Sequence, residues 1–90
     1  MAHDLIFRNA HLVDGSGAPG RVADVAVDGG TITAVEAGGS LAGAGAGRVV
    51  EAEGLLLTPG WVDTHTHYDA QVTWDPYMTP SGWHGVTTVM

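Results

Sequence analysis

The pair Pro59-Gly60 divides this chain into two stretches that follow different folding patterns. Proline lacks a backbone N–H and glycine accepts backbone angles closed to other residues, so the pair is strong punctuation. Before it, short apolar runs alternate with turn residues, which predicts strands. Leu5-Ile6-Phe7-Arg8 reads as a first strand and His11-Leu12-Val13 as a second, closed by Asp14-Gly15-Ser16-Gly17. Ala23 to Asp28 alternates, with Ala23, Val25 and Val27 on one face and Asp24 and Asp28 on the other, the period of a half-buried strand. Asp28-Gly29-Gly30 supplies the residues a tight hairpin needs, and Thr31-Ile32-Thr33-Ala34-Val35 is the return strand. Residues 37–47, almost all Gly or Ala, have little side chain to bury and much entropy to lose, which predicts a flexible surface loop. Arg48 to Ala52 is a further strand, broken by Gly54 before Leu55-Leu56-Leu57.

After Pro59-Gly60 the pattern changes. Trp61 to His67 reads as one short strand, apolar at its start and polar at its end. A buried strand that empties into functional side chains at its C-terminal end is the plan of a parallel α/β barrel strand. Residues 68–83 form an aromatic, Pro-containing connection, and His84 to Met90 reads as a second buried strand. The expected division is therefore 1–58, a β segment, and 59–90, the start of a barrel with two of its strands.

Composition narrows the partners. Ten acidic residues stand against three basic ones, all Arg, for a net charge of −7. No basic patch can form, so neither nucleic acid nor an anionic membrane is an expected partner. The chain contains no cysteine, so it has neither a disulfide framework nor a thiolate metal site. The first residues lack the basic head and apolar run of a secretory signal, and no apolar run approaches membrane-spanning length. A soluble cytoplasmic protein is the expectation.

The chemistry-bearing feature is His65-Thr66-His67. On a strand, residues two apart project to one face, so the two imidazoles can reach one ion, and imidazole suits zinc. Asp63 shares their parity and can accept from an imidazole N–H or support the ligands from behind. Asp69 lies just beyond, where a loop can turn it into a pocket or leave it on the surface. Alone, a His-x-His pair is weak evidence and more often marks two polar residues at a strand end.

The run Pro59-Gly60-Trp61-Val62-Asp63-Thr64-His65-Thr66-His67 resembles the first barrel strand of the amidohydrolase superfamily. Tyr68-Asp69-Ala70-Gln71 and His84-Gly85-Val86-Thr87-Thr88-Val89 are similar to its N-acyl-D-amino-acid deacylase branch, as are Asp14 to Pro19 and Asp24 to Gly29. The resemblance implies a small β-sandwich, to which residues 1–58 contribute, beside a (β/α)₈ barrel that residues 59–90 only begin. It implies that His65 and His67 are metal ligands, that Asp63 orients them, and that one or two Zn²⁺ ions serve hydrolysis of a small N-acyl-D-amino acid. Further ligands and the catalytic Asp of that branch lie on later strands, so no catalytic residue falls within this chain. A barrel needs about 250 residues and a catalytic zinc three protein ligands, so the 90 residues alone are expected to be an inactive N-terminal piece.

The alternatives are a hydrolase of cyclic amides, of hydantoinase or dihydroorotase type, and a non-catalytic β fragment. Self-association through open strand edges is expected of the chain by itself. His3 and His11 have no partner at ligand spacing and read as surface residues. His84 reads as a strand-start residue. Trp61 reads as packing at the strand base. Trp74, Tyr77 and Trp83 fit either loop packing or the wall of a pocket for an apolar group. Asp75-Pro76 reads as a turn.

Overall fold

The computed structural model describes residues 2–90, which form two compact units, one ending at Pro59 and one running from Gly60 to Met90. The first is a five-stranded mixed sheet. Its strands are β1 (His3–Leu12), β2 (Arg21–Asp28), β3 (Thr31–Ala37), β4 (Ala46–Glu51) and β5 (Leu56–Leu57). The spatial order is β3-β2-β1-β4, and β5 joins β1 beyond the end of β4. β2 runs antiparallel to β1 and β3, whereas β4 and β5 run parallel to β1. Among the described residues this unit holds a single sheet.

The two strands expected within residues 5–13 are one. β1 continues through a register shift between Phe7 and Ala10, where Asn9 takes a positive φ of 55°. Asparagine is among the few side-chain-bearing residues that accept this conformation, so the bulge breaks the apolar pattern without breaking the strand. The hairpin at Asp28-Gly29-Gly30 forms as expected, with φ of 57° and 79° at its glycines. Asp28 fastens it, accepting from the backbone N–H of Asp4 at 2.9 Å and from the Thr33 hydroxyl at 2.5 Å, while Asp4 accepts from the Gly29 N–H at 2.7 Å. His3 Nδ1 lies 2.8 Å from Asp28 Oδ2, which ties the start of β1 to the same turn.

The alternation in β2 misleads on one residue. Asp24 is not on a solvent face; it is fully buried, as are Ile6 and Ala26. The reason is topological. β3 lies at one side of the sheet and β4 at the other, so the Gly/Ala segment joining them must cross β2 and β1. It crosses as a succession of turns, with N–H to C=O bonds from Ser40 to Ala37, Ala42 to Gly39 and Ala44 to Leu41, rather than as an open loop. Asp24 accepts from the Gly39 and Leu41 N–H groups at 3.1 and 2.9 Å, and from the Asn9 N–H at 2.9 Å. Burial pushes its carboxyl up, but these three donors and the charge of Arg8 outweigh it and hold the group below the ordinary range. One glycine of the segment is also required sterically: a Cβ on Gly38 would lie 2.6 Å from a Val22 methyl. On the other sheet face Leu12, Ala23 and Val25 pack with Phe7 and Leu57.

In the second unit β6 (Trp61–Asp63) pairs in parallel with β7 (Val86–Val89). The crossover between them carries a single helical turn, α1 (Tyr68–Gln71), and a 3₁₀ turn over Ser81–His84. Gly85, at φ 83°, ends the 3₁₀ turn and its carbonyl accepts from the Trp61 N–H at 2.9 Å, which starts the pairing. A Cβ on Gly60 would overlap the Thr87 side chain, so the approach of the two strands needs glycine there. Among the described residues no helix is long and apolar enough to cross a membrane.

Candidate metal site

β6 ends at Asp63, so His65 and His67 are not strand residues as the sequence pattern suggests. The strand stops because Asp63 Oδ1 accepts the His65 backbone N–H at 3.1 Å, a local side-chain bond that turns the chain out of the ladder. Residues 64–67 then form an irregular link into α1, anchored by the Thr66 hydroxyl, which donates to the Met90 carbonyl at 2.6 Å. The two side chains nevertheless lie close together. The two imidazoles stand edge to face with ring centres 5.1 Å apart.

That spacing fits a metal. Two imidazoles on one tetrahedral zinc, each nitrogen about 2 Å from the ion, place their ring centres about 5 Å apart. Both rings border an open cleft of about 280 Å³, lined also by Asp63, Thr66, Tyr68, Gln71 and Ser81. Among the described residues no third His, Cys, Asp or Glu completes a ligand set. The donor set therefore suits half of a zinc site.

The other sequence candidates divide. Asp63 lines the cleft, but its carboxylate holds the His65 backbone rather than an imidazole. Asp69, in the first turn of α1, borders a neighbouring depression that shares His67 with the cleft. His84 ends the 3₁₀ turn, exposed and outside the cleft. Trp74, Tyr77 and Trp83 are 72%, 83% and 77% exposed and line neither depression, so they serve neither as loop packing nor as pocket wall within this unit.

What the sequence reading missed is Asp75. It is the only buried charged residue described in this unit. Its carboxylate accepts from the Thr79 hydroxyl at 2.6 Å, the Thr79 N–H at 2.7 Å, Gln71 Nε2 at 2.9 Å and the Tyr77 N–H at 3.2 Å. The Thr79 hydroxyl and the Gln71 amide lead in holding the group down at about 2 against the upward push of burial. The spacing of Gln71 and Asp75, four apart across a helical turn, is the signal that could have found it.

A depressed carboxyl stabilises the fold above its unfolded pKa and loses that effect as pH falls. For Asp75 the loss is expected between 3.8 and about 2. Carbon-13 titration of the carboxyl is expected to give a midpoint near the lower value; a midpoint near 3.8 would contradict the hub.

Residues 48–90 match the family model described as the amidohydrolase family. The N-acyl-D-aspartate deacylase of Alcaligenes xylosoxydans xylosoxydans is 44% identical over 87 residues, 97% of this chain and 17% of that protein. A D-aminoacylase structure, from work on the functional role of its binuclear metal center, superposes with a TM-score of 0.80 at 40% identity over 97% of this chain and 18% of the other. The N-acyl-D-glutamate deacylase of Bordetella bronchiseptica, in complex with zinc and a phosphonate inhibitor that mimics the tetrahedral intermediate, gives 0.80 at 32% identity, covering 99% of this chain and 18% of that one. The chain thus spans under a fifth of the length of these three relatives.

Proposed function

The chain belongs to the amidohydrolase family, and from that premise we propose that it serves as the N-terminal part of a zinc-dependent hydrolase of N-acyl-D-amino acids. The observation that carries the reading is the histidine pair, 5.1 Å apart between ring centres, just past the C-terminal end of a parallel strand. β6 and β7 are read as the first two strands of a (β/α)₈ barrel, whose functional groups gather at that end of its strands. Likeness to two deacylases and a D-aminoacylase supports the substrate class.

His65 and His67 would hold the metal. Zinc, when bound, supplies Lewis acidity for amide hydrolysis at neutral pH. Asp63 fixes the backbone from which His65 projects. Asp69 is assigned to the pocket wall next to His67. Two imidazoles leave a third ligand and the proton-transferring groups to the rest of the complete protein. The 90 residues by themselves are therefore assigned no turnover, and their open sheet edges and apolar face are assigned to self-association.

The test is hydrolysis by the protein in its full reading frame, reconstituted with zinc. N-acetyl-D-aspartate, N-acetyl-D-glutamate and N-acetyl-D-leucine are expected to be cleaved in preference to their L enantiomers and to hydantoins or dihydroorotate. Preference for the cyclic amides would replace this reading with the cyclic-amide one. Brisk turnover by the 90-residue chain would show that the site is complete within it.

A further inference from the structure

We propose that Gln71 and Ser81 form an acceptor wall of the histidine cleft that receives the amide N–H of the substrate, with Asp75 as the positioning residue that fixes Gln71. The inference rests on the amide-hydrolase reading above and adds the group that recognises the scissile amide.

It follows from an inventory of protons along one side of the cleft. Gln71 Nε2 donates to two acceptors that cannot reciprocate, Asp75 Oδ2 at 2.9 Å and the Thr79 carbonyl at 2.6 Å. Both N–H bonds of the carboxamide are thereby used, and the flip state follows from its partners: nitrogen toward Asp75, oxygen away. Asp75 cannot turn into a donor at ordinary pH, because four donors converge on it and hold its carboxyl at about 2. Gln71 Oε1 makes no hydrogen bond within the protein among the described residues, and Gln71 borders the cleft.

The two hydroxyls complete the pattern. Tyr68 donates its single proton to the Met78 carbonyl at 2.9 Å. Ser81 Oγ, 2.6 Å from the Tyr68 oxygen, is then assigned as the donor of that contact. Both hydroxyl protons are engaged inside the protein, and what Ser81 retains is lone pairs. The wall made by Tyr68, Gln71 and Ser81 consequently offers acceptors and no free proton. A carboxylate or carbonyl oxygen finds no partner on it, whereas an N–H does. An N-acyl amino acid carries one such N–H, on the bond to be cleaved.

The test separates the N–H from everything else in the ligand. An N-acyl-D-amino acid is compared with the O-acyl D-2-hydroxy acid that has oxygen in place of the N–H. Binding of each is measured by calorimetry to the metal-free protein in its full reading frame, where neither is turned over. The wild type is expected to bind the amide roughly tenfold more tightly, the worth of one net hydrogen bond. Gln71→Met, which keeps length and loses the acceptor, is expected to bring that ratio toward one while leaving ester binding within about twofold. Asp75→Asn is expected to do the same by releasing the carboxamide, and the double variant to add little, as for residues acting as a unit. Loss of both ligands equally in either variant would mark a merely structural role and overturn the proposal, as would a wild-type ratio of one. Failure of the zinc-loaded wild type to hydrolyse any amide would instead overturn the functional reading, and this inference with it.

Discussion

Replacing either His65 or His67 by alanine is expected to reduce zinc affinity of the protein in its full reading frame by roughly a hundredfold or more. Loss of groups that only support a ligand already costs about 10- to 100-fold, and each of these residues is assigned as a ligand itself. The physical basis is the pair's spacing of 5.1 Å. With one ring gone, the other is a single exposed imidazole among groups that do not complete a ligand set within this unit. Equilibrium dialysis against zinc with a competing chelator measures the effect. Because neither ring makes a hydrogen bond among the described residues, the fold should be little changed, and unchanged circular dichroism would separate lost ligation from lost structure. Retention of wild-type affinity in both variants would refute the assignment.

The largest effect on stability is expected at Asp24. Asp24→Ala removes the acceptor of three backbone N–H groups, those of Asn9, Gly39 and Leu41, at a position with no solvent exposure. Each buried donor left unpaired costs about 1–3 kcal/mol, so a loss of about 3 kcal/mol or more is expected. Small domains have only about 5–15 kcal/mol in total, so this one side chain holds a large share. Asp24→Asn should cost less. One oxygen can still receive Asn9 and Gly39, while its amide nitrogen opposes the Leu41 N–H. Urea unfolding of the three proteins checks the ranking. A change below about 0.5 kcal/mol in the alanine variant, the scale of an ordinary surface substitution, would contradict it.

Asp24 also shows where the sequence was legible and where it was not. The hairpin at Asp28-Gly29-Gly30 was readable because turn chemistry is local: two residues that accept positive φ sit between two β-rich runs. The same alternation that marks β2 as a strand puts Asp24 on the solvent side, and no local rule corrects it. Its burial comes from the strand order, which sends the residue 38–45 segment across that face, and strand order is a long-range property. The Gly/Ala composition signalled little side chain to bury; it did not signal that the backbone itself would be the partner.

The candidate site divides in the same way. Residue type and spacing single out His65 and His67, and their ring centres stand 5.1 Å apart. The reason given for their convergence was wrong, because Asp63 ends the strand before them. Asp63, expected to support the imidazoles, accepts instead from the backbone N–H of His65. Asp75 reads as a turn residue because it precedes proline, and the turn hides a carboxylate with four donors. Gln71 drew no notice because a lone glutamine carries no motif; its significance depends on which of its atoms are already engaged.

The central claim, that His65 and His67 ligate one ion, is tested most directly by a crystal structure of the protein in its full reading frame grown with zinc, with anomalous data collected on either side of the zinc absorption edge. One anomalous peak about 2 Å from a ring nitrogen of both His65 and His67 is the predicted result. A peak bound by other residues, with both imidazoles free of it, would contradict the account.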